Sequence, residues 1–96
     1  MTIRKVTDSK KDYLDLLLLA DEQEDMIDRY LMRGDMFVLV ADDGGVKGEC
    51  VVTREGDGVY ELKNIAVLPA YWRRGYGKRL VEHAFHYYPD GRTMLV

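Results

Sequence analysis

The stretch "NIAVLPAYWRRGYGKRLVEHAF", residues 64–85, decides the fold. It opens with an apolar run typical of a buried strand, and Pro69 ends that strand because its ring removes a backbone donor. From Gly75 onward the apolar residues recur at helical spacing, which predicts a helix. Its apolar face comprises Leu80, Val81, Ala84, Phe85 and Tyr88. Two glycines and several cationic side chains lie where strand gives way to helix, so the segment predicts an anion-binding turn at a helix N-terminus.

Upstream of this segment, three apolar runs predict three strands. They cover residues 36–41, 46–53 and 59–68, and they are separated by Asp-Asp-Gly-Gly and Glu-Gly-Asp-Gly. Glycines in such turns supply the positive φ angles of tight hairpins, so we expect an antiparallel meander. A strand–helix–strand connection then leads to a last strand at residues 93–96, which predicts a parallel pair with a right-handed crossover.

The N-terminal part is predicted to hold a strand and a helix. Residues 3–7 alternate between apolar and polar, as a short strand does. A leucine-rich helix follows at residues 9–21, and Asp8 or Ser9 offers a side-chain cap for it. This helix is expected to be part of the core.

A second helix is predicted over residues 22–33, and Gly34 is expected to end it in the left-handed conformation. The resulting order is β-α-α-β-β-β-α-β. It predicts an α+β fold (α/β around the last crossover) with a mixed, mostly antiparallel sheet of about five strands. No repeat or linker divides the chain, so residues 1–96 are expected to form a single domain.

Composition limits the classes of function. The net charge of −3 argues against a general nucleic-acid-binding protein, and no apolar run approaches the roughly 20 residues of a membrane span. The single cysteine, Cys50, excludes an intramolecular disulfide and is expected to be a small buried side chain. These features predict a cytoplasmic protein with neither nucleic-acid nor membrane partners.

Other phosphate-binding motifs do not match the glycine-rich turn. A Walker A loop needs glycine where Trp72 stands, and it needs Ser or Thr after Lys78. A dinucleotide fingerprint needs a third glycine, but that position is Leu80. Arg-Gly-Tyr-Gly also begins an RNA-binding strand motif, yet the residues that follow have a helical period. None of the three motifs explains the turn.

The segment resembles the GCN5-related N-acetyltransferase (GNAT) family, in its fourth strand, its pyrophosphate loop of pattern Arg/Gln-x-x-Gly-x-Gly/Ala and its third helix. The rest of the chain follows that family in element order. The resemblance implies acetyl-CoA as cosubstrate and direct transfer of an acetyl group to a primary amine of a small molecule or peptide. Trp72 stands in place of the leading Arg or Gln, and it can lend its amide but not a cationic or amide side chain. The implied cofactor-binding residues are Ile65, Ala66, Val67, Arg73, Arg74, Gly75, Tyr76, Gly77 and Lys78.

The resemblance also suggests catalytic residues. A Glu occupies the place of Glu61 in several members of the family and often acts as a base through water. Asn64 is expected to mark a strand bulge and to orient a water molecule. The alternative for Glu61 is an outward side chain opposite Lys47 or Arg54. His83 and His86 share a helix face but lack a third ligand, so no metal site is predicted.

The family usually continues through a fifth strand, a fourth helix and a final hairpin, where a Tyr general acid is common. The chain is therefore expected to be the N-terminal and central part of such a domain, truncated after the start of the fifth strand. This leaves open a catalytically inactive or incomplete module that binds acetyl-CoA or a partner, and it leaves open a homodimer. An acidic segment near the first two helices could attract a cationic amine: Asp21, Glu22, Glu24, Asp25 and Asp28.

Overall fold

In the computed structural model, which describes residues 1–90 and 93–95, a five-stranded sheet carries helices on both faces. The strands and α-helices are, in chain order, β1 (Thr2–Val6), α1 (Leu14–Ala20), α2 (Glu24–Leu31), β2 (Asp35–Val40), β3 (Val46–Gly56), β4 (Val59–Val67), α3 (Tyr76–Tyr87) and β5 (Thr93–Leu95). The strands lie in the order β1-β2-β3-β4-β5; the first three pairs are antiparallel and β4–β5 is parallel. The predicted fold is confirmed. Two predicted positions, Gly91 in the last turn and Val96 in the last strand, lie outside the described residues.

Strand alternation divides the interior into two cores. Met36 and Val38 of β2 face α1 and α2, whereas Phe37 and Leu39 face α3. All four side chains are fully buried, because helices cover both faces of this strand. The continuous apolar run of β2 is therefore explained by two-sided burial. Among the described residues, no helix has the length and apolar character needed to cross a bilayer.

The two hairpins of the meander are closed by glycines, as predicted. Gly44 has φ 84° between β2 and β3, and Gly58 has φ 70° between β3 and β4. A side chain at either angle would be strained, since only glycine adopts positive φ freely. These turns fix the register of the three central strands.

The predicted first helix is shorter than expected and begins differently. Residues Lys10–Tyr13 form a 3₁₀ turn, and α1 starts only at Leu14. Ser9 precedes the turn with φ 53° and makes no side-chain cap hydrogen bond. The predicted side-chain cap is wrong because capping serines normally have an extended backbone, which places the hydroxyl over the first amides.

Gly34 has a different role from the predicted one. It does not have a positive φ angle, so it is not the left-handed end of α2. Instead, a Cβ at this position would lie 2.7 Å from Val51 Cγ1 and 3.1 Å from the Tyr30 carbonyl oxygen. Glycine is required here because the turn between α2 and β2 packs closely against Val51 of β3.

We expect Gly34→Ala to lower the free energy of unfolding by about 1–3 kcal/mol, because the added methyl group overpacks the contact with Val51. Urea unfolding measures the change. Gly56→Ala is the matched control, because a Cβ there would meet only Val59 Cβ at 3.9 Å. Equal stability of the two variants would contradict the close-packing role of Gly34.

Candidate functional site

The turn before α3 presents consecutive backbone amides without protein acceptors. The row ends at Arg79, whose N–H donates to the Gly75 carbonyl at 3.0 Å. The amides of residues 73–78 donate to no acceptor in the part of the chain that the structure describes. We call this row the amide cradle. The first amides of any α-helix lack internal partners, and here the preceding turn extends the row.

The backbone of the amide cradle is left-handed at two positions. Gly75 caps α3 with φ 79°, and Arg73 has φ 64°. For a non-glycine residue this conformation costs roughly 1–2 kcal/mol. Left-handed residues within a turn make successive N–H groups converge, and such concave groups bind anions. The strain at Arg73 is therefore associated with a feature suited to anion binding.

The space beside the cradle is open. A Cβ at Gly75 would meet no described atom within 4 Å, and a Cβ at Gly77 would meet only Ile65 Cδ1 at 4.0 Å. Positive charge surrounds the opening, because the side chains of Arg73, Arg74 and Lys78 are exposed. The N-terminus of α3 adds roughly half a positive charge. A phosphate group can approach this backbone closely.

Strand β4 has an open edge next to the cradle. The described part of β5 pairs only with Val59–Glu61, so the following residues of β4 have no described strand on that side. Leu68 N–H donates to the Lys47 carbonyl at 2.8 Å, towards β3. Because main-chain groups alternate in direction along a strand, Ile65 and Val67 present theirs to the open edge, and Ala66 turns its groups to β3.

Trp72 connects the cradle to this edge. Its indole Nε1–H donates to the Val67 carbonyl at 2.6 Å. Its own backbone amide donates to the Pro69 carbonyl at 3.2 Å inside a 3₁₀ turn. The Trp72 amide is therefore not one of the free amides of the cradle. The side chain, which sequence reasoning missed, is the part of Trp72 that reaches the site.

Glu61 and Asn64 lie at different points on the same strand. Glu61 is half-buried opposite Thr53 of β3, and its carboxylate lies 3.1 Å from Lys63 Nζ. It does not face Lys47 or Arg54. Asn64 is buried and lies beside a bulge, since the register shift opposite Val51 and Val52 leaves Lys63 unmatched. The predicted bulge at Asn64 is present.

The side chain of Asn64 joins the sheet to both N-terminal helices. Its Nδ2 group donates to the Leu17 carbonyl of α1 and to the Tyr30 hydroxyl of α2, each at 3.0 Å. Tyr30 in turn donates to Asp21 at 3.4 Å, and burial raises the pKa of its hydroxyl. The Asn64 Oδ1 atom is buried and has no described partner.

A second buried carboxylate, Glu49 of β3, was missed by the sequence analysis. It is opposite Ala66 on one side and Val38 on the other, and it is fully buried. Neither carboxylate oxygen has a described hydrogen-bond partner. Burial raises the pKa of Glu49 to about 8, and the nearby Ala66 amide opposes this effect only in part. A charged residue inside the apolar run Gly48–Val52 was the available signal.

The acetyltransferase (GNAT) family model matches residues 5–95 of the chain. The chain belongs to this family. Among its relatives, an uncharacterised N-acetyltransferase, YvbK, of Bacillus subtilis (strain 168) is 36% identical over 74 residues. That match covers 77% of this chain and 47% of the relative.

Solved structures of GNAT proteins share the fold. An acetyltransferase from Elizabethkingia anophelis with acetyl-CoA bound has a TM-score of 0.82 and 30% identity, over 90% of this chain and 56% of that one. A Bacillus subtilis acetyltransferase in complex with CoA has a TM-score of 0.78 and 34% identity, over 88% and 55%. The chain thus spans about half the length of the relatives it matches.

The GNAT fold brings most of the predicted site residues together. The amide cradle of residues 73–78 lies beside the open edge at Ile65 and Val67. Glu61 is farther along β4, four residues from Ile65. The described residues contain no cluster of three His, Cys, Asp or Glu side chains arranged to hold a metal ion.

Proposed function

We propose that this GNAT protein is an acetyl-CoA-dependent N-acetyltransferase that transfers an acetyl group directly to a primary amine of a small molecule or peptide. The observation that carries the proposal is the row of free amides at residues 73–78, next to the open edge of β4. An anionic group followed by an extended, amide-containing arm fits this pair of features.

Each part of the site has a separate task in binding. The amides from Arg73 to Lys78, with Gly75, Tyr76 and Gly77 between them, hold the pyrophosphate, and the cationic side chains add counter-charge. Ile65 and Val67 pair through their main chains with the pantetheine arm, as an added strand would. Ala66 belongs to the same segment, but its main-chain groups face β3 and hold the strand in register.

The chemistry requires a stabilised oxyanion and a neutral amine. Acetyl-CoA supplies an activated thioester when it is bound. A main-chain amide on the open edge of β4 donates to the developing oxyanion, which lowers the barrier because the donor is fixed in place. Glu61 is proposed as a base that acts through water, and Asn64 as the residue that orients that water.

The related structures support the choice of cosubstrate, because one contains acetyl-CoA and another contains CoA. Their identity to this chain is 30% and 34%, over 90% and 88% of its length. A cytoplasmic location and a homodimer remain predictions from the sequence.

Thermal shift with acetyl-CoA, followed by an acetylation assay on a panel of primary amines, tests this function. At a ligand concentration 100 times Kd, binding should add about 2.7 kcal/mol to the free energy of unfolding. A shift together with turnover supports the transferase. A shift without turnover on any amine favours the alternative, a module that binds acetyl-CoA. No shift at saturating acetyl-CoA would contradict both.

A further inference from the structure

The side chain of Trp72 lies against the open edge of β4. Its indole Nε1–H donates to the Val67 carbonyl at 2.6 Å. That carbonyl points away from β3, because the next amide along the chain, Leu68 N–H, donates towards β3, to the Lys47 carbonyl at 2.8 Å. The indole therefore approaches β4 from the side on which no described strand pairs with Val67.

This hydrogen bond is the main attachment of the indole. Trp72 is 59% exposed and belongs to neither hydrophobic core. In the described part of the chain, no aromatic or cationic side chain stacks on its ring. The backbone of Trp72, in contrast, is fixed by its amide bond to the Pro69 carbonyl. Rotation of the side chain alone would therefore free the Val67 carbonyl.

The indole also lies where the two halves of the proposed binding site meet. Val67 is the last residue of β4, and the amide cradle begins at Arg73, directly after Trp72. A ligand that places a diphosphate in the cradle and pairs an extended arm with Ile65 and Val67 has to pass between these two features. Its path therefore runs past the Trp72 side chain.

The arm and the indole need the same place on β4. An arm that adds to β4 as a strand donates an N–H group to the Val67 carbonyl. A carbonyl oxygen can accept two hydrogen bonds, but an added strand would lie only about 4.8 Å from β4 on the open side. The indole ring already occupies that side of Val67. Both groups cannot bind there together.

Covering this edge has a physical reason in the free protein. An open strand edge presents unpaired N–H and C=O groups and can pair with another chain. Trp72 supplies a donor to one of these groups and places a bulky ring beside it. The cover costs little to remove, because a single hydrogen bond near the surface contributes only modestly to stability.

We propose that Trp72 is a positioning residue: its indole covers the edge of β4 in the free protein and leaves the Val67 carbonyl when the pantetheine arm of acetyl-CoA binds. The inference rests on the proposed transferase function and assigns a role in it to a side chain outside the cradle. It divides ligands into two classes. ADP, which has a diphosphate and no such arm, binds the cradle with the indole in place, whereas acetyl-CoA binds with the indole released.

NMR of the indole group tests the release directly. Trp72 is the only tryptophan of the chain, so its Nε1–H gives a single ¹H–¹⁵N signal. We expect saturating acetyl-CoA to move this signal upfield in ¹H and to speed its exchange with water, because its hydrogen bond to Val67 is lost. ADP should shift the amide signals of residues 73–78 and leave the indole signal unchanged.

The outcomes separate this inference from the proposed function. If acetyl-CoA shifts the cradle amides but leaves the indole signal and its exchange rate unchanged, the inference is overturned and the cradle stands. Equal indole responses to ADP and acetyl-CoA would overturn it too, because the arm would then have no part in the release. If neither ligand shifts the cradle amides, the proposed function fails and this inference fails with it.

Trp72→Phe gives a second test, since phenylalanine keeps an aromatic ring and lacks the N–H donor. Without the competing indole bond, Kd for acetyl-CoA should fall by about two- to tenfold, while Kd for ADP should stay the same. Tyr71→Phe changes the neighbouring aromatic side chain, leaves the indole intact and should match the wild type. Isothermal titration calorimetry measures both ligands. Unchanged or weaker acetyl-CoA binding by Trp72→Phe, or an equal gain for ADP, would overturn the inference.

Discussion

Gly77→Val should lower the affinity for acetyl-CoA by about 100-fold or more, which corresponds to the loss of about two charge-assisted hydrogen bonds. The added side chain would fill the open space between the amide cradle and Ile65, where a phosphate has to approach. A Cβ at Gly77 would lie 4.0 Å from Ile65 Cδ1. Isothermal titration calorimetry with acetyl-CoA measures the loss.

The fold of this variant should be intact. Gly77 lies in the first turn of α3 without a positive φ angle, and valine is a slightly better helix residue than glycine. The free energy of unfolding should change by less than about 1 kcal/mol. Gly75 is the poorer target, because its φ of 79° would strain any side chain.

Two controls accompany Gly77→Val. Gly56→Val adds the same side chain in the β3–β4 hairpin and should leave the affinity unchanged. Arg79→Ala should weaken binding only modestly, and less at high salt, because it removes a screened charge and leaves the amides in place. Similar small effects of all three changes would contradict the cradle.

Between pH 4.5 and pH 7 the wild type should lose about 3 kcal/mol of its free energy of unfolding through Glu49, and the Glu49→Gln variant should not show this loss. In the folded wild type, burial holds the proton on Glu49 up to about pH 8, whereas in the unfolded chain the group ionises near 4.5. Unfolding therefore releases a proton between these pH values, so wild-type stability falls as pH rises through this range. A glutamine has no proton to release.

Urea unfolding at a series of pH values measures this difference. Glu55→Gln is the control with the opposite sign, because hydrogen bonds from Thr53 and Arg33 lower the pKa of Glu55. Relative to the wild type, that variant should lose a little stability as pH rises, since Thr53 and Arg33 favour the ionised Glu55 carboxylate of the wild type. Parallel pH profiles for the wild type and Glu49→Gln would mean that Glu49 is solvated in the folded protein.

Local sequence rules predicted the elements that depend on local chemistry. Gly44 and Gly58 mark hairpins because their positive φ angles are a property of the turn itself. The helical period after Gly75 and the parallel pairing of β4 with β5 follow from spacing and element order, and both are present. The amide cradle was predictable because helix N-termini always carry free amides.

Tertiary packing decided the features that the sequence did not predict. Gly34 looked like a helix end, but it is a glycine because Val51 of another element leaves no room for a Cβ. Glu49 was not singled out from the sequence, because the face of a strand on which a residue lies depends on register. Only the pairing with Val38 and Ala66 places Glu49 in the core. Trp72 was judged by its place in a motif, and its indole contact became visible only in the folded turn.

We propose that main-chain amides at the start of α3 hold a diphosphate beside the open edge of β4. A ¹H–¹⁵N NMR titration of the protein with acetyl-CoA tests it most directly, amide by amide. The signals of residues 73–78, Ile65 and Val67 should shift together and saturate at one ligand per chain. Unchanged signals at those positions, while others move or none move, would contradict it.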